Sequence, residues 1–330
     1  MDPLSDVLSL LKPRSYSSGG LDVAGPLSMQ YPAHPGIKCY SVVFGECWLS
    51  VDGVDDPVRL TAGDCFLLPR GRPFVLASDL ALEPVDAMAL FAAARGPDAG
   101  AGSGGVFTFN GGGEVCIVGG HFALAGDHAD VLLEVLPPIV HIRKEADKAA
   151  LRWSVERMMQ ELREPQPGGL LVVQHLAQMM LVQALRLHLA EGPSGGVGWL
   201  FALADKQMAA AMTALHADPA HPWTLQALAE RAGMSRSTFA QRFKATVGTP
   251  PMDYLTRWRM LLAKDRLANS RAPVSAIALS LGYESESAFS TAFKRVMGCS
   301  PRQYSRGRAA MRPPAAAPVR EAPRLRVVAG

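Results

Sequence analysis

Two short apolar runs, residues 39–44 and 47–51, flank Gly45 and Glu46, a pair suited to a tight hairpin. Turn residues at 52–53, 63–64 and 69–73 then frame two more short runs, 58–60 and 65–68. This spacing predicts a meander of short strands closing into a small β-barrel. A stretch rich in Gly, Ala and Ser, 96–113, reads as a mobile loop leading into a last strand pair near 106–109 and 114–118. From Leu132 the period becomes helical: residues 149–162 place Val155, Met158, Met159 and Leu162 on one stripe. A Pro/Gly break at 165–169 precedes the apolar run 170–189, so a helical hairpin is predicted. Residues 191–198, with four glycines and a proline, have linker composition. The Ala-, Pro- and Arg-rich segment 307–330 is predicted to be disordered.

Between linker and tail the chain repeats itself. Residues 225–254 read LQALAERAGMSRSTFAQRFKATVGTPPMDY and 274–304 read VSAIALSLGYESESAFSTAFKRVMGCSPRQY. Gly233 pairs with Gly282 at an offset of 49, and Phe243, Lys244, Gly248, Pro251 and Tyr254 with Phe293, Lys294, Gly298, Pro301 and Tyr304 at 50. The second copy thus holds one extra residue in its turn. Each copy has the layout of a helix-turn-helix: a small residue inside a short helix (Ala229, Ala278), a glycine able to end it, and a serine (Ser235, Ser285) suited to cap the next. Helical spacing turns Phe239, Phe243 and Val247 inward in the first copy, and Phe289, Phe293 and Val296 in the second. Arg236, Ser237, Thr238, Ala240, Gln241 and Lys244 then face outward, as do Glu286, Ser287, Ser290, Thr291, Lys294 and Arg295. A connecting helix over 251–267, at ~1.5 Å per residue, spans roughly 25 Å. With the offsets of the packed units, the two outward helices are expected about one DNA turn, ~34 Å, apart.

Charge agrees with that reading. Residues 1–198 carry 14 Lys+Arg against 22 Asp+Glu, whereas 199–330 carry 19 against 8, an asymmetry expected when one part must neutralise phosphates. Gln241 suits adenine, Ser and Thr can donate or accept, and Glu286 can accept from cytosine or serve the helix cap. Arg236, Lys244, Arg257, Arg259, Lys294, Arg295 and Arg302 are placed nearer the phosphates, setting affinity and register. The amino terminus, with Asp2 and Asp6 and no basic start, is not read as a signal peptide. Polar residues interrupting 170–189 make that run a buried or interfacial helix rather than a membrane span. A cytoplasmic protein with reduced thiols is expected.

The run LTRWRMLLAKDRLANS followed by VSAIALSLGYESESAFSTAFKRVMGCSPRQY resembles the DNA-binding domain of the AraC/XylS transcription factor family, over residues 199–306. The resemblance implies base contacts by Ser237 and Gln241 and by Glu286, Ser287, Ser290 and Thr291; several members carry Arg where Gln241 and Thr291 stand. GGEVCIVGGHF at 112–122 and LLEVLPPIVHI at 132–142 are similar to the cupin-like sensory domain of one subgroup. The expected fold is α+β multidomain. A cupin-like β-barrel (1–130) and helical dimerisation segment (131–190) are joined by a linker (191–198) to an all-α domain (199–306) with two helix-turn-helix units on one connecting helix, then the tail (307–330).

Metal-binding cupins need three histidines and a glutamate. Here only His34 stands near the first position, and Phe74 falls where the third His would be. No metal, cofactor or catalytic residue is therefore expected, and His34, His121, His141 and His175 are read as structural. The expected function is a sequence-specific regulator, an activator responding to a small-molecule effector, with double-stranded DNA and RNA polymerase as partners, no membrane, and a homodimer. Two alternatives stand beside it: a cupin-fold enzyme with an accessory DNA-binding domain, and a redox sensor using Cys39, Cys47, Cys65 and Cys116. A two-residue hairpin at Gly45 and Glu46 would set Cys39 and Cys47 on opposite faces, a poor disulfide. An architectural DNA binder is a further rival.

Overall fold

A computed structural model describes residues 2–11, 14–95, 105–124, 133, 136–190 and 197–311. The chain forms two compact units, Met1–Leu255 and Thr256–Gly330.

The first unit begins with helix α1 (Pro3–Leu11) and strands β1 (Arg14–Val23), β2 (Ser28–Tyr31), β3 (Ile37–Phe44), β4 (Glu46–Val51), β5 (Val58–Thr61), β6 (Cys65–Leu68), β7 (Phe74–Ala77) and β8 (Val85–Asp86). Helix α2 (Ala87–Arg95), β9 (Val106–Phe109), β10 (Val115–Ala123) and β11 (Val140–Ile142) follow. The strands make two sheets, ordered β11-β6-β3-β10-β1-β9 and β5-β4-β7-β2-β8. Their facing sides enclose one core that includes Leu21, Met29, Tyr31, Val42, Leu49, Leu60, Phe66, Phe74 and Ile117. The alternate side chains of the six-stranded sheet, among them Cys39, Ser41, Cys65, Leu67, Cys116 and Val118, are also buried. That outer face is covered by helices α3 (Glu145–Arg163) and α4 (Gly169–Ala190), which pack on each other and on this sheet.

The hairpin expected at Gly45 and Glu46 is not formed: β3 and β4 belong to different sheets, and Gly45 is the corner between them. Its φ of 79° and a Cβ position only 2.0 Å from the Glu114 carbonyl oxygen leave room for glycine alone. Cys39 therefore lies opposite Leu67 and Gly120 rather than Asp52, on the helix-covered face, while Cys47 belongs to the barrel core. Nor do the strands near 106–109 and 115–123 pair with each other, because β1 runs between them, parallel to β9 and antiparallel to β10. Within the stretch expected to be wholly helical from Leu132, Val140–Ile142 instead adds an edge strand to β6. Residues 96–104 of the expected loop and 191–196 of the expected linker lie outside the described residues.

α4 is, among the described residues, the one helix long and apolar enough to cross a membrane. Its apolar side, including Val173, Leu176, Ala177, Met180, Leu181 and Leu185, is buried in the protein instead.

The hairpin is tied to the barrel by a buried carboxylate. Asp64, in the turn between β5 and β6, accepts hydrogen bonds from the Thr61 amide (2.9 Å) and His141 Nε2 (3.0 Å), and its Oδ1 lies 3.0 Å from Lys148 Nζ on α3. Lys148 also reaches Glu145 at 2.9 Å and the Ala62 carbonyl at 3.3 Å. One side chain thus joins a turn, an edge strand and a helix. Burial raises the Asp64 carboxyl's pKa, but the bonds from Thr61, His141 and Lys148 together outweigh it and hold it below the usual range. Asp64→Asn should destabilise the first unit by about 3 kcal/mol in urea unfolding, since it strands the Lys148 charge with only exposed Glu145. In the wild type the contribution of Asp64 is complete above its ordinary value of 3.8 and is lost as pH falls from there through the lower folded value. A stability difference between wild type and Asp64→Asn that does not narrow on acidification would refute this account.

Candidate nucleic-acid interface

The rest of the first unit is helical: α5 (Trp199–Ala202), α6 (Lys206–Ala217), α7 (Leu225–Arg231), α8 (Arg236–Val247) and the start of α9 (Pro251–Asn269). The second unit holds the remainder of α9 with α10 (Val274–Leu279), α11 (Glu286–Met297) and α12 (Pro301–Met311). α12 runs past the 307 boundary expected for the tail, and 312–330 lie outside the described residues.

The two repeats agree bond for bond. In the first turn the Gly233 amide donates to Glu230 O (3.0 Å) and Met234 to Ala229 O (2.9 Å); in the second, Gly282 donates to Leu279 O (3.0 Å) and Tyr283 to Ala278 O (3.1 Å). Gly233 and Gly282 have φ of 65° and 78°, as this helix-ending motif requires. Ser235 Oγ then accepts from the Thr238 amide and Ser285 Oγ from the Ala288 amide, capping α8 and α11. Phe239 and Phe243 are fully buried with ring centroids 5.5 Å apart, and Phe289 and Phe293 likewise at 5.7 Å. Tyr254 meets Phe243 edge-on and Tyr304 meets Phe293 in the same way. Val296 departs from expectation. It is 36% exposed, while Met297 packs into the core of the second unit. Met297, not Val296, stands at the repeat offset of 50 from Val247, so it inherits the inward direction.

On α8 the residues Arg236, Ser237, Thr238, Gln241 and Lys244 are exposed, with Ala240 half-buried. On α11, Ser287, Thr291, Lys294 and Arg295 are exposed and Glu286 and Ser290 half-buried. Several arginines of this region have protein partners, and three bear on these helices. Arg302 Nη2 donates to Glu286 Oε1 at 2.8 Å, so two candidate contacts hold each other, and Glu286 takes no part in the cap. Arg259 lies over the Tyr283 ring, 5.7 Å from its centroid, while Arg257 is exposed. Arg242, exposed on α8 but outside the expected set, bonds Gln207 Oε1 at 2.9 Å and pairs with Asp205, the N-cap of α6. Its role is to brace α8, which no local pattern could reveal because the partners lie 35 and 37 residues away.

In the barrel, His121 Nε2 donates to the Pro35 carbonyl, His141 bonds Asp64, and His175 Nδ1 lies 2.7 Å from the Leu171 carbonyl in its own helix. Phe74 stacks on Tyr31 with centroids 4.4 Å apart. Among the described residues no group of three or more His, Cys, Asp or Glu gathers as for a metal ion. All five cysteines are free thiols. The Cys39 thiol is pushed up by its hydrogen bond with Cys65 and by burial, and burial raises Cys47 to about 12 and Cys116 to about 11. Thiols held protonated in this way are weak nucleophiles toward oxidants.

Residues 2–190 match a family described as cupin, and residues 228–307 a family described as helix-turn-helix domain. An AraC-like transcription regulator of Streptomyces antibioticus is 47% identical over 305 residues, 92% of this chain and 98% of its own length. One from Streptomyces lividans is 45% identical over 305 residues, with the same two coverages of 92% and 98%. Among solved structures, the DNA-binding domain of AdpA, a global transcriptional factor in complex with a target DNA, is 34% identical, covers 31% of this chain and 91% of its own, and has a TM-score of 0.29.

The anchoring residues are open to test by unfolding of the full chain. Phe293→Ala should cost about 3–5 kcal/mol and Met297→Ala at least about 1 kcal/mol. Val296→Ala should stay within about 0.5 kcal/mol of wild type. The reverse order for Val296 and Met297 would mean that α11 is rotated from the orientation described.

Proposed function

Because the chain belongs to the AraC-like family of DNA-binding transcription regulators and carries a cupin domain, we propose that it activates transcription from operators of defined sequence in response to a small-molecule effector held by the N-terminal barrel. The reading rests on one observation above all: the same turn, cap and aromatic anchor occur twice, each leaving a polar helix face outward. α8 and α11 each enter a major groove. Ser237, Gln241, Ser287, Ser290 and Thr291, with Glu286 once Arg302 turns to phosphate, read base edges. Arg236, Lys244, Arg257, Lys294, Arg295 and Arg302 hold the backbone, with Arg259 doing so only from its place over Tyr283. The protein works in the cytoplasm beside RNA polymerase and performs no catalysis. Its division of labour follows the expected boundaries, sensing and dimerising in 1–190 and binding DNA in 199–306.

Selection of bound fragments from genomic DNA tests this directly, since an architectural binder would enrich no motif. Gln241→Ala should weaken one part of the recovered site by about 1–3 kcal/mol and relax preference there, whereas Lys244→Ala should weaken all sequences alike and lower the salt slope by about one. Equal loss of specificity from both would overturn this assignment of base and phosphate contacts.

Homodimerisation is assigned to the hairpin α3–α4, which leaves Trp153 63%, Leu171 60% and Leu170 48% exposed. Apolar side chains of this size left exposed on one helical hairpin favour a partner surface. Sedimentation of the full-length protein at micromolar concentration should give a dimer, and Trp153→Glu with Leu171→Glu a monomer. A wild-type monomer under these conditions would exclude the assignment.

A further inference from the structure

The interior face of β3 carries a charge that the barrel does not answer. Lys38 points inward with Tyr40 and Val42, directly opposite His121 of β10. Its ammonium lies 5.0 Å from the centroid of Tyr31, 5.0 Å from that of Phe74 and 6.0 Å from that of Tyr40. Among the described residues no carboxylate pairs with it. The His34 ring stands edge-on to Phe74 at 6.1 Å and to His121 at 5.4 Å. Both ring nitrogens of His34 are shielded from solvent and make no well-formed hydrogen bond among the described residues, the nearby Pro35 carbonyl being taken by His121 Nε2. The His34 amide donates to the Gly71 carbonyl at 2.9 Å, which fixes this segment against the β6–β7 turn.

Aromatic faces stabilise an ammonium but do not discharge it, and a shielded imidazole with no partner forgoes the hydrogen bonds it would make in water. Both requirements converge at one end of the barrel, and one species answers both: an anion with two oxygens. Burial and the Lys38 charge hold His34 down to about 3, so it stays neutral with one N–H, while burial lowers Lys38 only to about 8. The site therefore presents a single positive charge, which matches a monoanion better than a phosphate dianion. The rings of Tyr31, Tyr40 and Phe74 favour an apolar body over a hydroxylated one.

We propose that this end of the barrel binds a small organic monocarboxylate, one oxygen on the Lys38 ammonium and the other on a His34 ring N–H, with its apolar part against Tyr31, Tyr40 and Phe74. This deepens, and rests on, the reading of the barrel as the effector domain.

Calorimetry with the full-length protein against straight-chain monocarboxylates of two to ten carbons, benzoate and phenylacetate tests it. At least one acid should bind saturably, its uncharged amide at least tenfold more weakly, and inorganic phosphate no better than chloride. Lys38→Met should reduce affinity tenfold or more, Lys38→Arg should retain most of it, and His34→Phe should reduce it severalfold. The melting temperature of unliganded Lys38→Met should equal or exceed that of wild type, because a half-buried charge with no carboxylate partner is removed. Binding by none of the acids, equal binding of acid and amide, undiminished binding by Lys38→Met, or a large fall in that variant's melting temperature would each overturn the proposal. The effector reading is judged separately by promoter affinity measured with the bound acid. Saturable, Lys38-dependent binding that leaves promoter affinity unchanged would support the site and refute its regulatory role.

Discussion

Two phenylalanines four residues apart, buried without remaining exposure in each repeat, set the rotation of α8 and α11 about their own axes. Burying each ring is worth about 1.5–3 kcal/mol, while a cap contributes ~1 kcal/mol, so the rings dominate the orientation and the turn only sets the angle of entry. Tyr254 and Tyr304 lock the inner phenylalanine of each pair from the following helix. Once that rotation is fixed, every other position on a 3.6-residue period has a determined direction. Gln241, two before Phe243, and Thr291, two before Phe293, are turned outward by the same anchor. Both are polar and uncharged, so in the proposed reading DNA affinity comes largely from the surrounding cations.

What the chain discloses by itself follows the range of the interactions concerned. The repeats were legible because their determinants are local: Gly233 and Ser235 lie within one turn, and the phenylalanines within one helix. Val296 was misread since a three-residue step and a four-residue step from Phe293 are both apolar, and only the comparison with Val247 selects Met297. The barrel was legible as a class but not in its connections. β1, RSYSSGGLDV, has no alternation that marks a strand, and it takes that form because β10 and β9 pair with its two edges. Gly45 offered a positive φ, which serves a hairpin and a corner between sheets equally well. The partnerships that remove Arg242, Arg259 and Arg302 from simple solvent exposure span 16 or more residues and leave no periodic trace.

The same distinction explains why the compact division falls inside α9 rather than at the Gly-rich segment before Trp199. α1 buries Leu4, Val7 and Leu10, packs on α6, and is followed after two residues by β1 of the barrel. His216 on α6 is the polar centre of that contact. Its Nδ1 lies 3.5 Å from Asp6 Oδ2, and its Nε2 lies 2.8 Å from the Tyr254 hydroxyl. Burial holds His216 down to about 3, so the ring is neutral, and its Nε2 is hydrogen-bonded to the Tyr254 hydroxyl. Tyr254 is the residue that also locks Phe243. The anchor of the first reading helix is thereby continuous, through one imidazole, with a helix two residues from the barrel's first strand. In the second repeat the ring of Tyr304 instead lies beneath Lys264 at 5.3 Å. Matching turn bonds and aromatic anchors therefore sit on different polar supports, and the two helices have no reason to share one stability.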